Sequence, residues 1–201
     1  MNFLAHIYLS GENQDVMIGN FIADGIKSKD QHIYPKDIQK GILLHRAIDT
    51  YTDSHPTVRK SKKRLFERYS HYSAVIVDIL YDHFLAKNWH QYSDIPLNDY
   101  VDDFYRALER QYEILPARYQ TLAPFMIRDN WLLGYSTIEG ITKALEGMNR
   151  RTKNRSKMNQ AVDELRTYYA EFEEDFTHFF DELIQFASEQ LKILSSPDQT
   201  K

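Results

Sequence analysis

Apolar residues recur at three- and four-residue intervals over seven stretches, 36–54, 56–69, 72–91, 97–115, 119–130, 137–148 and 157–194, and this spacing predicts a helix over each. Pro35, Pro56, Pro96, Pro116 and Pro124 fall at or near the ends of these stretches, where proline begins a helix or follows its end. In the last stretch Tyr168, Tyr169, Phe172, Phe176, Phe179, Phe180, Ile184 and Phe186 alternate with acidic residues. The pattern is that of a long amphipathic helix whose aromatic stripe faces the core. With 7 Gly and 6 Pro in 201 residues, turns are too sparse for a sandwich or barrel of many short strands. At roughly 150 residues per domain, the expectation is one compact all-α domain over 1–194, followed by a polar tail over 195–201.

Composition changes this picture in three ways. An apolar share of 42%, an aromatic share of 13% and a mean hydropathy of -0.57 fit a water-soluble chain with a sizeable core. No apolar run approaches the roughly 18 residues that span a bilayer. The N-terminal stretch has neither a basic region nor a long apolar one, so the cytoplasm is the expected compartment and no membrane partner is expected. The absence of cysteine excludes disulfides, thiolate metal sites and a cysteine nucleophile. Finally, 29 acidic against 25 basic residues give a net charge of -4, which argues against a dedicated nucleic-acid binder. An anionic partner would have to be met locally, by the basic runs at 59–64 or 150–157, each of which also reads as a solvated face.

The candidate chemistry lies in carboxylates and imidazoles set among apolar residues. On the helix predicted over 36–54, His45 and Asp49 are four residues apart and share a face, with Asp53 one turn further on. Ile42, Leu43, Leu44, Ala47, Ile48 and Tyr51 make most of the circumference apolar, so this helix is expected to be buried nearly all round. On the helix over 72–91, Asp78 and Asp82 share a face and His83 points about 100° away among Ile76 and Ile79. His6 follows Phe3-Leu4-Ala5, and Asp24 ends the run Gly19-Asn20-Phe21-Ile22-Ala23. Buried charges must be paired, hydrogen-bonded or metal-bound, so structural hydrogen bonds and a metal site both satisfy these positions. Imidazoles and carboxylates without thiols suit Mn²⁺, Fe²⁺, Zn²⁺ or Mg²⁺, ions that serve phosphoester hydrolysis. No P-loop, GxGxxG or GxSxG motif is present.

Four blocks, MNFLAH at 1–6, GNFIAD at 19–24, HRAIDTYTDSHPTVR at 45–59 and DHFLAKNW at 82–89, closely resemble the acyl carrier protein phosphodiesterases, with weaker echoes in WLLGY at 131–135 and GMNRR at 147–151. The resemblance implies an all-α fold related to the HD-domain metal phosphohydrolases, although the chain has no His–Asp dipeptide and only the reversed pair Asp82-His83. It also implies hydrolysis of the phosphodiester between 4'-phosphopantetheine and a serine of holo-acyl carrier protein, with Mn²⁺ as cofactor, or Mg²⁺ or Fe²⁺ in its place. Carried onto this sequence, it implies metal ligation by Asp24, His45, Asp49 and Asp82 or His83. Arg46 would share the phosphate charge, and His6 or His83 would protonate the departing serine oxygen. The basic runs at 59–64 and 150–157 would then dock the acidic carrier protein. The rival readings are a phosphohydrolase of the same type acting on a nucleotide, and a helical interaction module whose His/Asp pairs are structural.

Overall fold

A computed structural model describes residues 1–196. The chain folds into α1 (Phe3–Tyr8), α2 (Gln14–Ile22), α3 (Lys36–Ser54), α4 (Pro56–Tyr69), α5 (Ser73–Lys87), α6 (Leu97–Arg110), α7 (Ala117–Arg128), α8 (Trp131–Gly134), α9 (Ile138–Arg151), α10 (Ala161–Thr167) and α11 (Tyr169–Ser195). Short 3₁₀ turns join them, and no strand occurs among the described residues, as the sparse turn residues predicted. The expected polar tail lies almost wholly outside the described residues.

The middle of the molecule is α5, on which every side chain from Ile79 to Ala86 is buried. A helix that is apolar all round can satisfy itself only by running through a core. Against it pack α1, α4, α9 and α11. The centre of the predicted stripe is buried, with Phe172, Phe176, Phe179 and Phe180 inaccessible to solvent and each contributing about 1.5–3 kcal/mol by its burial, while Tyr168 is exposed and Tyr169, Ile184 and Phe186 are half-buried. The buried residues of these helices join in one hydrophobic cluster.

Several details depart from the sequence reading. The helix α3 is not buried all round: α2 and α11 cover two sides, while Leu43 stays exposed and Ala47 and Tyr51 half-buried. Pro124 lies inside α7 rather than at its end. A proline there removes the amide that would bond to Gln120, and the Tyr112 hydroxyl donates to that carbonyl instead, at 3.2 Å. The stretch 157–194 breaks at Tyr168 into α10 and α11.

Helices α1 and α2, which the spacing did not reveal, form the floor of the site. Asn13 caps α2, its side-chain oxygen accepting from the amides of Asp15 at 2.9 Å and Val16 at 3.3 Å. The packing of α2 on α3 is backbone to backbone: a Cβ on Gly19 would sit 2.1 Å from the Ile38 carbonyl oxygen, and one on Gly41 would sit 2.1 Å from that of Val16. Only glycine at both positions permits this approach, which brings Asn20 of α2 against His45 of α3.

Candidate metal centre

Three short-range decisions assemble the cluster. His6 leaves α1 toward α3, His45 and Asp49 stand one turn apart on α3, and Asp24 sits in the 3₁₀ turn Ala23–Gly25 that follows α2. The two imidazole rings stack with centroids 4.0 Å apart. His6 Nε2 lies 3.2 Å from Asp49 Oδ1, and His45 Nε2 lies 3.1 Å from Asp49 Oδ2 and 3.3 Å from Asp24 Oδ1. Both rings are buried, whereas the side chains of Asp49 and Asp24 are 42% and 63% exposed, so the cluster opens to solvent on its carboxylate side.

Asn20 sets the direction of both rings. Its amide nitrogen donates to the His6 carbonyl and to Ser10 Oγ, each at 2.9 Å, which fixes the side-chain oxygen on the opposite side. That oxygen accepts from His6 Nδ1 at 2.8 Å, and the Asn20 backbone oxygen accepts from His45 Nδ1 at 2.9 Å. Both partners are pure acceptors, so each Nδ1 carries a proton and each Nε2 points its other face into the cluster. Asn20 was not among the residues singled out from the sequence; the available signal was a fully buried amide within an apolar run, a group that needs partners.

The donor set fits a divalent cation. His6, His45 and Asp49 each offer a ligand atom within 4.8 Å of the others. His6 Nε2 is buried, has no hydrogen-bond partner despite its nearness to Asp49, and faces a carboxylate with a lone pair. Two acceptors placed this way need a positive charge between them. Asp24 supplies a further oxygen on the solvent side. Two nitrogens and two carboxylates, without sulfur, suit Mn²⁺, Fe²⁺ or Zn²⁺.

Charge states follow from this arrangement. Burial, then the neighbouring His45, depresses His6 to about 4, so its ring is neutral. Burial pulls His45 down as well, but its bonds to Asp24 and Asp49 outweigh it and hold the ring up at about 9. Asp49 is resisted by burial yet held well below the ordinary carboxylate value by His45 and His6, and Asp24 is lowered chiefly by its bond to His45.

The structure brings together four of the residues singled out from the sequence and separates the rest. Asp82 is fully buried, and its two oxygens accept from the amides of Leu4 at 2.7 Å and Ala5 at 3.1 Å, so it caps the first turn of α1. His83 is held at both nitrogens, Nδ1 by the Tyr135 carbonyl and Nε2 by the Tyr169 hydroxyl, each at 2.8 Å. The expected place of Asp82 and His83 in the ligand set does not fit this arrangement, because their polar atoms already have partners on other elements. The cation that Asp78 needs is the α-amino group of Met1, 3.2 Å away. Asp53 is exposed and pairs with Lys62 at 2.8 Å. Arg46 follows His45 on α3, but its side chain turns to Gln31, Nη1 donating to Gln31 Oε1 at 2.6 Å.

The basic run at 59–64 is largely engaged within the molecule: Lys60 and Arg64 pair with the buried Asp175, Lys62 with Asp53, and Arg59 donates to the Ser54 carbonyl. In the run at 150–157, Arg150 lies 3.8 Å from Glu146, while Lys153, Arg155 and Lys157 are exposed and make no ion pair among the described residues. No helix of the described residues is long and apolar enough to cross a membrane.

Comparison with known proteins agrees with the blocks read from the sequence. No solved structure matches the chain. Proteins named acyl carrier protein phosphodiesterase are similar to it along nearly their whole length. That of Pectobacterium atrosepticum is 30% identical over 191 residues, 94% of this chain and 99% of the relative. That of Photorhabdus laumondii is 30% identical over 93% of this chain and 95% of the relative, and that of Klebsiella pneumoniae is 31% identical over 93% and 97%. The family model for acyl carrier protein phosphodiesterase matches residues 1–183, and the chain belongs to that family.

Proposed function

We propose that this protein hydrolyses the phosphodiester joining 4'-phosphopantetheine to a serine of holo-acyl carrier protein, using a divalent cation, Mn²⁺ by preference, at the cluster of His6, His45, Asp49 and Asp24. The observation that carries the reading is the convergence of two Nε2 atoms and the Asp49 carboxylate on one point, with His6 Nε2 lacking any hydrogen-bond partner. When bound, such a cation supplies Lewis acidity, withdrawing charge from the phosphoryl oxygens and acidifying water. His6, His45 and Asp49 hold it, Asp24 closes the set on the open side, and Asn20 keeps both rings in the tautomer that leaves Nε2 available. Arg46, which follows His45 on α3 and is bonded to Gln31, would have to leave that partner to meet a non-bridging phosphate oxygen. Water oxygen bonds to phosphorus and gives up a proton to solvent, the bond from phosphorus to the serine oxygen breaks, and that oxygen takes a proton to give apo-carrier and 4'-phosphopantetheine. His83 has both nitrogens engaged and His6 turns Nε2 into the cluster, so the proton comes from solvent on the exposed side.

Intact-mass measurement of holo-carrier before and after incubation with the protein and Mn²⁺ is expected to show loss of the phosphopantetheine mass, with a panel of nucleotides unchanged. An unaltered carrier alongside hydrolysed nucleotides would overturn the assignment.

Proton and cation compete for His45 Nε2. Because its folded pKa is raised above the ordinary 6.5, the His45 contacts stabilise the metal-free fold fully below pH 6.5 and are lost as pH rises through about 9. A cation must displace that proton, so its affinity rises over the same window. At a hundredfold excess over Kd a cation adds about 2.7 kcal/mol. That is about 5–10 °C in Tm for a chain of this size. Thermal scans with and without fixed Mn²⁺ from pH 6.5 to 8.5 are expected to show the metal-free Tm falling and the Mn²⁺ increment growing; an increment that shrinks with pH excludes His45 as a ligand.

A further inference from the structure

The position of the scissile bond restricts where a protein substrate can sit. In the reaction proposed above, on which this inference rests, phosphorus is bonded directly to the carrier's serine oxygen, so the carrier's own surface comes within one phosphate group of the cluster. Its docking surface must therefore border Asp24, the most exposed member of that cluster. The segment that follows Asp24 is 26–36, whose 3₁₀ helix Ser28–Ile33 lies along α3, tied by Arg46 to Gln31 at 2.6 Å and by Gln39 Nε2 to the Tyr34 carbonyl at 2.7 Å. Positions 39, 43 and 46 share one face of α3, beside the face that bears His45 and Asp49.

This surface has the composition of an interface. Ile33 is 68% exposed and Leu43 37% exposed, apolar groups left outside the core on the 3₁₀ segment after Asp24 and on the adjoining face of α3. Lys27, Lys29 and Lys36 are exposed and make no ion pair among the described residues, and the segment contains a single acid, Asp30. The other basic runs are less suited. That at 59–64 is committed to Asp175 and Asp53, and that at 150–157 follows α9, which packs chiefly on the 3₁₀ turn Met158–Gln160 and on α5, α8 and α10 rather than on the elements of the cluster.

We propose that Lys27, Lys29 and Ile33 form the docking surface for the carrier domain. The lysines meet carboxylates around the modified serine, and Ile33 meets an apolar side chain among them. Charge reversal in a Lys27→Glu/Lys29→Glu variant is expected to raise KM for holo-carrier about tenfold or more with kcat within twofold of wild type. Hydrolysis of bis(4-nitrophenyl) phosphate, a small diester with no protein attached, is expected to persist and to report an intact cluster. Ile33→Asp is expected to raise the same KM, and added salt to raise it for wild type more than for the lysine variant. An unchanged KM in a system where wild type cleaves holo-carrier overturns the docking surface while the functional reading stands. A rise in KM for Lys153→Glu/Arg155→Glu in its place does the same. Loss of small-diester hydrolysis in the Lys27→Glu/Lys29→Glu variant also overturns it, since the effect then lies in the cluster. Wild type that spares holo-carrier while cleaving the small diester refutes the functional reading itself.

Discussion

Replacing Asp49 by Ala is expected to abolish hydrolysis and the Mn²⁺-dependent rise in Tm while leaving a folded protein. Asp49 bridges the two histidines, with Oδ1 3.2 Å from His6 Nε2 and Oδ2 3.1 Å from His45 Nε2, and among the described residues no other carboxylate reaches both rings. Its side chain is 42% exposed, so truncation leaves no buried cavity to collapse. Substitution of groups that merely orient ligands commonly costs about 10–100-fold in metal affinity or activity, and loss of a bridging ligand should exceed that. The stability change has two opposing parts: the ion pair with His45 disappears, and so does the crowding of Asp49 against Asp24 and Asp78. Activity and cation binding are therefore the readouts, with circular dichroism as the check on folding. A folded Asp49→Ala protein with wild-type turnover would remove the cluster from the chemistry.

The long helices and the His45–Asp49 pair were legible in the sequence because both rest on local spacing, while His6 and Asp24 stood out as ionisable residues in apolar runs. His45 and Asp49 meet through a four-residue interval on α3, and the stripe of α11 follows from the helical period. What was not legible depends on contacts distant in the chain. The helix α1 is six residues long, too short to be stable by its own propensity. It forms because Asp82, far along the chain, accepts from its first amides. Asn20 becomes the support of both rings only after Gly19 and Gly41 let α2 and α3 touch. Asp82 and His83 read as ligands for the same reason that they are structural: a buried polar group must have a partner, and sequence spacing does not say whether that partner is a cation, a backbone amide or a tyrosine hydroxyl.

Asp82 offers the sharpest separation of those alternatives. Truncation in Asp82→Ala strands the buried amides of Leu4 and Ala5, and a buried donor left without a partner costs about 1–3 kcal/mol. With two such amides and the cap of α1 lost together, the fold is expected to weaken by about 2–4 kcal/mol. That lowers Tm by about 5–15 °C in a protein of this size. Because α1 carries His6, activity should fall with the folded fraction. Asp82→Asn keeps one acceptor oxygen for one of the two amides, so about half of the stability should return. Burial lifts the Asp82 carboxyl to about 7 against the lowering pull of the two amides, so near that pH the loss of its charge matters less than the loss of the second acceptor oxygen. The Asn variant should also bind Mn²⁺ with near-wild-type affinity at temperatures where it is folded, because neither Asp82 oxygen belongs to the cluster. The opposite pattern, an Asp82→Asn protein as stable as wild type that no longer binds the cation, would return Asp82 to the ligand set and require a different support for the start of α1.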